Sequence, residues 1–153
     1  MARCVGVALV LLALGVGAIG CGEEGVSSGA TVRVYVAAPL CAEAQRELAK
    51  QGAKASEVEV RVECLDRAES GGRLDLAAIG ADARRTTEDS AAIAYVEARG
   101  PANRFSRTIV EESGIAWIAA GSGATAMQRV LDAVSEAGSG SLRNEVREAL
   151  EAS

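Results

Sequence analysis

Hydrophobic residues alternate with polar ones in two early stretches of the chain. Val32, Val34 and Val36 share one face of Thr31 to Ala37, and Val58, Val60, Val62 and Cys64 share one face of Glu57 to Leu65. A period of two predicts a β-strand in each. Ala91 to Val96 and Ile115 to Ala120 are apolar throughout. Such runs predict parallel strands covered on both faces and lying in the interior of a sheet. Helical composition fills the intervals: Ala42 to Gln51 is rich in Ala, Glu, Gln and Lys, Leu74 to Glu88 is interrupted by Gly80, and Pro101 to Ser113 ends before Gly114. Proline in a first turn and glycine just past the last are ordinary helix boundaries. Ala124 to Ala137 carries the stripe Met127, Val130, Leu131 and Val134, and Leu142 to Ala152 carries Leu142, Val146 and Leu150, so two amphipathic helices close the chain.

Strand and helix alternate, which predicts an α/β fold wound by right-handed crossovers. Glu57, Glu59, Arg61 and Glu63 occupy the other face of the second strand and place it at an edge. The expected architecture is a four-stranded parallel sheet in the order 2-1-3-4, with helices on both faces, built from a single domain over 31–153. Cys41 follows the first strand and Cys64 ends the second, so both are expected near the carboxyl ends of neighbouring strands.

The first twenty residues change the picture of the compartment. Met1 to Arg3 is a short positive start, and Val5 to Val16 is apolar and uncharged, as in a secretory signal peptide and too short for a stable membrane span. Ala18-Ile19-Gly20-Cys21 resembles the bacterial lipobox, with Ala18 where Leu is usual. The resemblance implies cleavage before Cys21 and lipidation of its sulfur, giving an extracytoplasmic chain anchored to the cell membrane by its acyl chains. Residues 22–30 (GEEGVSSGA) then form a flexible tether. Ordinary cleavage elsewhere, or an uncleaved anchor helix, is the competing reading. With Cys4 in the leader and Cys21 lipidated, Cys41 and Cys64 remain as an even pair. In an oxidising compartment they form a disulfide or, alternatively, stay as two buried thiols.

The chain has no histidine, a net charge of −5, and only one Trp, two Tyr and one Phe. That excludes histidine-dependent catalytic triads and imidazole metal sites, and no basic run suggests nucleic acid as a partner. No catalytic residue, metal ligand or cofactor is expected. Arg84, Arg85, Glu88 and Asp89 read as a solvated helix face, Glu111 and Glu112 diverge around a helix, and Trp117 reads as core.

Asp82 to Ile115 (DARRTTEDSAAIAYVEARGPANRFSRTIVEESGI) resembles the N-terminal lobe of type 1 periplasmic binding proteins, the solute-binding lipoproteins of branched-chain amino acid ABC transporters. In that family an "ARRATEDS" helix leads into an "AIAYIG" strand, a ligand loop and a helix ending "EAGI". Val32 to Leu40 is similar to its first strand and following turn. Ala126 to Ala149 is similar to helices near the C-terminus of the full-length proteins. The resemblance implies a leucine-binding-like single lobe joined near Gly121 to Gly123 to those helices, without the second lobe. It implies a small amino acid-like solute and an ABC transporter permease as partners. Ligand contacts are expected at Gly100, in the loop after the third strand, and at Gly121, Ser122 and Gly123 after the fourth. An envelope interaction or scaffold lipoprotein with no solute binding is the alternative. Gly121-Ser122-Gly123-Ala124-Thr125-Ala126 also fits G-x-G-x-x-A, the form of a pyrophosphate loop, but no acidic strand end follows it.

Overall fold

A computed structural model describes residues 31–66, 69–70, 73–137 and 142–153. The leader, Cys21 and the tether all lie outside the described residues. The chain order is β1 (Thr31–Val36), α1 (Ala38–Lys50), β2 (Lys54–Ala55), β3 (Val58–Cys64), β4 (Glu69–Ser70), β5 (Arg73–Leu74), α2 (Leu76–Thr87), β6 (Ala92–Ala98), α3 (Asn103–Glu112), β7 (Ala116–Ala120), α4 (Gly123–Glu136) and α5 (Leu142–Ala152). The fold is α/β, with a mixed five-stranded sheet ordered β2-β3-β1-β6-β7 and a separate β4-β5 hairpin. No helix among the described residues is long and apolar enough to cross a membrane.

The alternation read from the sequence places β1 and β3 side by side in parallel, Val34 opposite Val62 and Val36 opposite Cys64. Val32, Val34, Val36, Val58 and Val60 face one layer, where the apolar stripes of α1, α4 and α5 meet them. Tyr35, Ala92 and Tyr95 face the opposite layer with Ala83 of α2 and Val110 of α3. The register between β1 and β6 shifts between Arg33 and Val34, which pair with Ala92 and Ala94. The extra residue is Ile93, and this β-bulge lets Ile93 and Ala94 both join the first layer.

Three expectations need correction. The sheet has five strands, because Lys54–Ala55 pairs antiparallel with β3 and flanks it, so the second alternating strand is not the outermost. A two-residue strand offers no hydrophobic period to read, and its flanks, Ala53 and Ser56, take the left-handed region (φ 59° and 52°) although neither is glycine. The run Ala116–Ala120 ends the sheet, as the order 2-1-3-4 has it, and does not lie in the interior as its apolarity alone suggests. Its continuous apolarity reflects cover on both faces, which an end strand between helix layers also receives. Trp117 accordingly is half-buried rather than core. The β4-β5 hairpin carries no sequence signal of its own.

Helix boundaries follow local chemistry. Pro39 lies in the first turn of α1, which therefore begins four residues before the Ala-rich stretch suggested. Asp75 caps α2, its Oδ1 accepting from the N–H groups of Ala77 and Ala78 at 3.0 Å. Gly114 stops α3 at φ 74°. Arg84, Arg85 and Glu88 are exposed as expected, but Asp89 turns inward. It accepts from Tyr35 Oη at 2.8 Å, Arg33 Nη1 at 3.0 Å and the Ala91 N–H at 2.9 Å. Cys41 and Cys64 form a disulfide with a Cα separation of 5.7 Å, tying α1 to the end of β3.

Candidate functional site

In a parallel sheet the crossovers leave a crevice where neighbouring strands send their chains in opposite directions, at the carboxyl ends. Here that point lies between β1, which leads towards β3, and β6, which leads towards β7. A cavity of about 300 Å³ opens there. Ala37 and Pro39 after β1, Leu65 after β3 and Ala98 at the end of β6 contribute apolar wall, while Ile79 and Asp82 reach in from α2. Tyr95, Glu97, Asp66, Arg99 and Asn103 supply the other polar side chains.

Each polar side chain has a distinct environment. Glu97 is buried, and its Oε1 accepts from Trp117 Nε1 at 2.8 Å and from the Ser106 hydroxyl. The strand-end carboxylate is thus fixed by α3 and β7. Asn103 closes the loop between β6 and α3: its Oδ1 accepts from the Gly100 N–H at 2.7 Å and its Nδ2 donates to the Ala98 carbonyl at 3.0 Å. Burial pushes the Asp82 carboxyl above its ordinary range, with the Arg85 guanidinium opposing the shift and the Asp66 carboxylate reinforcing it. Burial also raises the Tyr95 hydroxyl, reinforced by the charges of Glu97 and Asp82.

The four residues expected to contact ligand do not converge. Gly100 lines the crevice. Gly121 and Ser122 line a separate depression of about 270 Å³ beside β7, shared with Thr125, Arg129 and Arg99. Arg99 borders both spaces. Gly123 belongs to a helix contact: a Cβ there would stand 2.0 Å from the Leu40 carbonyl oxygen, so glycine lets α4 pack directly on α1.

The same segment explains the glycine-rich phosphate-loop pattern in another way. Glu43 of α1 sends Oε2 to the N-terminus of α4, accepting from the Gly123 N–H at 2.9 Å and from Ser122 Oγ at 2.9 Å. The Ser122 hydroxyl, then the Gly123 amide, hold the Glu43 carboxyl below its ordinary range. The helix end already holds the chain's own anion, and a phosphate would have to displace it against like charge.

Sequence reasoning passed over Asp82, Tyr95, Glu97, Asn103 and Glu43. Two signals were present in the chain. Glu97 is a lone carboxylate at the end of an apolar strand, and Asp82 falls on the same helix stripe as Ile79, Ala83 and Thr86. Charged residues in buried positions are the informative ones. Scanned against family models, curated proteins and solved structures, the chain has no match.

Proposed function

We propose that this chain is the solute-binding component of an extracytoplasmic lipoprotein system, akin to the amino acid ABC transporter lipoproteins that its sequence resembles. In this reading Cys21 carries the lipid, residues 22–30 tether the α/β unit at the membrane surface, and an ABC permease is the onward partner. The small amino acid-like solute sits in the crevice between the ends of β1 and β6, against Gly100. A single observation carries the reading. The crevice lies at the topological switch point and joins apolar walls to a few polar groups that converge on one space. On its wall Leu74 is 44% exposed, apolar surface that a closing partner or solute would cover.

A second reading, an envelope scaffold lipoprotein that binds no solute, is favoured by one specific contact. The Ser122 hydroxyl and the Gly123 N–H both donate to Glu43, so the donors expected to meet a ligand are already engaged within the chain.

A thermal-shift screen of amino acids and small amides against the full-length protein in detergent separates the two. A solute present at about a hundred times its Kd stabilises by about 2.7 kcal/mol, a shift of several degrees. A flat screen selects the scaffold reading. Intact mass of the membrane-extracted protein tests the anchor: a diacylglyceryl or triacyl adduct on Cys21 is expected, and an unmodified N-terminus elsewhere contradicts it.

A further inference from the structure

Exposed sheet edges invite pairing and are usually blunted, and the two ends of this sheet differ in that respect. At one end β2 is two residues long, carries the exposed Lys54, and is flanked by Ala53 and Ser56 in the left-handed region. At the other end β7 reads Ala-Trp-Ile-Ala-Ala, without charge or proline, and its register with β6 runs unbroken from Ala116 to Ala120. The Arg99 N–H donates to the Ala120 carbonyl at 3.3 Å. Ala120, and by the period of two Ile118 and Ala116, therefore turn their backbone groups towards β6. Trp117 and Ala119 turn theirs outward. Both residues are half-buried, and no described strand lies beyond β7, so their N–H and C=O groups have no ladder partner among the described residues.

A slot of about 200 Å³ follows this edge. Arg107 and Glu111 of α3 line it from one face of the sheet, and Arg129 of α4 with Arg147 and Glu151 of α5 line it from the other. At the Ala120 end it adjoins the depression whose charged lining is Arg99 and Arg129. The edge thus carries four guanidiniums against two carboxylates, in a chain whose net charge is −5. Both carboxylates are already answered, Glu111 by Arg107 at 2.8 Å and Glu151 by Arg147 at 3.1 Å, so the positive surplus rests on Arg99 and Arg129. We propose that β7 is a docking edge for an extended acidic segment of another protein, which joins the sheet as a strand beside Trp117 and Ala119 and sets its carboxylates against Arg99 and Arg129. Strand addition takes its affinity from main-chain hydrogen bonds and its selectivity from the side chains along the edge. A second copy of this chain fits less well. Two-fold pairing of β7 with itself is antiparallel and offers Arg99 and Arg129 only carboxylates that Arg107 and Arg147 already hold. Docking at this edge is independent of whether the crevice holds a solute.

Fluorescence anisotropy on the full-length protein in detergent, with the labelled peptides EETVTVTEE, KKTVTVTKK and EETPPPTEE, tests the edge. The first has β-branched residues over the length of β7, the second reverses the charge, and the third keeps the charge but lacks the N–H groups that pair. EETVTVTEE is expected to bind saturably and at least about tenfold more tightly than either of the others. Arg99→Glu, at an exposed position, is expected to weaken EETVTVTEE by at least about tenfold and to strengthen KKTVTVTKK. Ala119→Pro removes an outward N–H and no bond to β6, and is expected to abolish binding with little change in Tm. Should that variant fail to fold, the charge reversal at Arg99 decides alone. No saturable binding of EETVTVTEE, equal or tighter binding of either other peptide, or unchanged affinity in Arg99→Glu overturns the assignment. A dimer seen by light scattering that Ala119→Pro dissociates also overturns it, because the edge is then filled by a second copy.

Discussion

Gly121 and Gly123 stand two positions apart and serve different ends. A Cβ on Gly121 meets nothing within 4 Å, whereas one on Gly123 would collide with backbone, 2.0 Å from the Leu40 carbonyl and 3.0 Å from the Ala44 nitrogen. Backbone atoms cannot rotate away, so α4 would have to lift from α1. Gly123→Ala is expected to destabilise by at least about 2 kcal/mol, and Gly121→Ala to stay within about 0.5 kcal/mol, in urea unfolding. Equal effects would remove the close-packing account of Gly123. The pair also shows what a glycine motif conceals. The spacing G-x-G-x-x-A was visible in the sequence, but the carboxylate that answers the helix end comes from Glu43, about eighty residues earlier. Glu97 and Asp82 were hidden in a similar way, because burial is set by which elements cover a residue and not by its neighbours in the chain.

At the scale of elements, period and composition carried most of the information. The β1 and β3 alternation, the apolar β6 run and the α4 and α5 stripes are formed over nearly the expected residues, because each buries one continuous face. Elements too short to bury a face, β2 and the β4-β5 hairpin, were not legible. Apolarity alone also misplaced β7, since a covered end strand and a central strand have the same composition. The interruption at Gly80 proved to be a helical residue of α2. The nearest atoms an added Cβ there would meet belong to the Arg84 guanidinium, at 3.6 Å, an ordinary contact with a flexible side chain. Gly80→Ala is therefore expected to raise stability by about 0.5–1 kcal/mol through helix propensity, read as a higher urea midpoint at unchanged m. A lower midpoint would mean that α2 needs the glycine for its packing on α3.

The whole molecule is a sheet covered by α1, α4 and α5 on one face and by α2 and α3 on the other, tied across α1 and β3 by one disulfide. The bridge closes a sequence separation of 23 residues. Closing a loop of that size stabilises by about 3 kcal/mol in the chain-entropy model. Reduction, or the Cys41→Ala/Cys64→Ala double variant, is expected to lower Tm by on the order of 10 °C. An unchanged Tm would show that the helix layers alone hold β3 in place. Among the described residues the same architecture leaves a crevice at the β1–β6 switch point, where apolar walls meet Asp82, Tyr95 and Glu97, and a separate depression beside β7 that holds Gly121 and Ser122. The most direct test is an amide NMR titration of the full-length protein with the compound giving the largest thermal shift. The account predicts that the signals of Tyr95, Gly100 and Asn103 move together and saturate, while those of Gly121, Ser122 and Thr125 stay still. Movement confined to Gly121, Ser122 and Thr125, or no saturable movement at all, would contradict it.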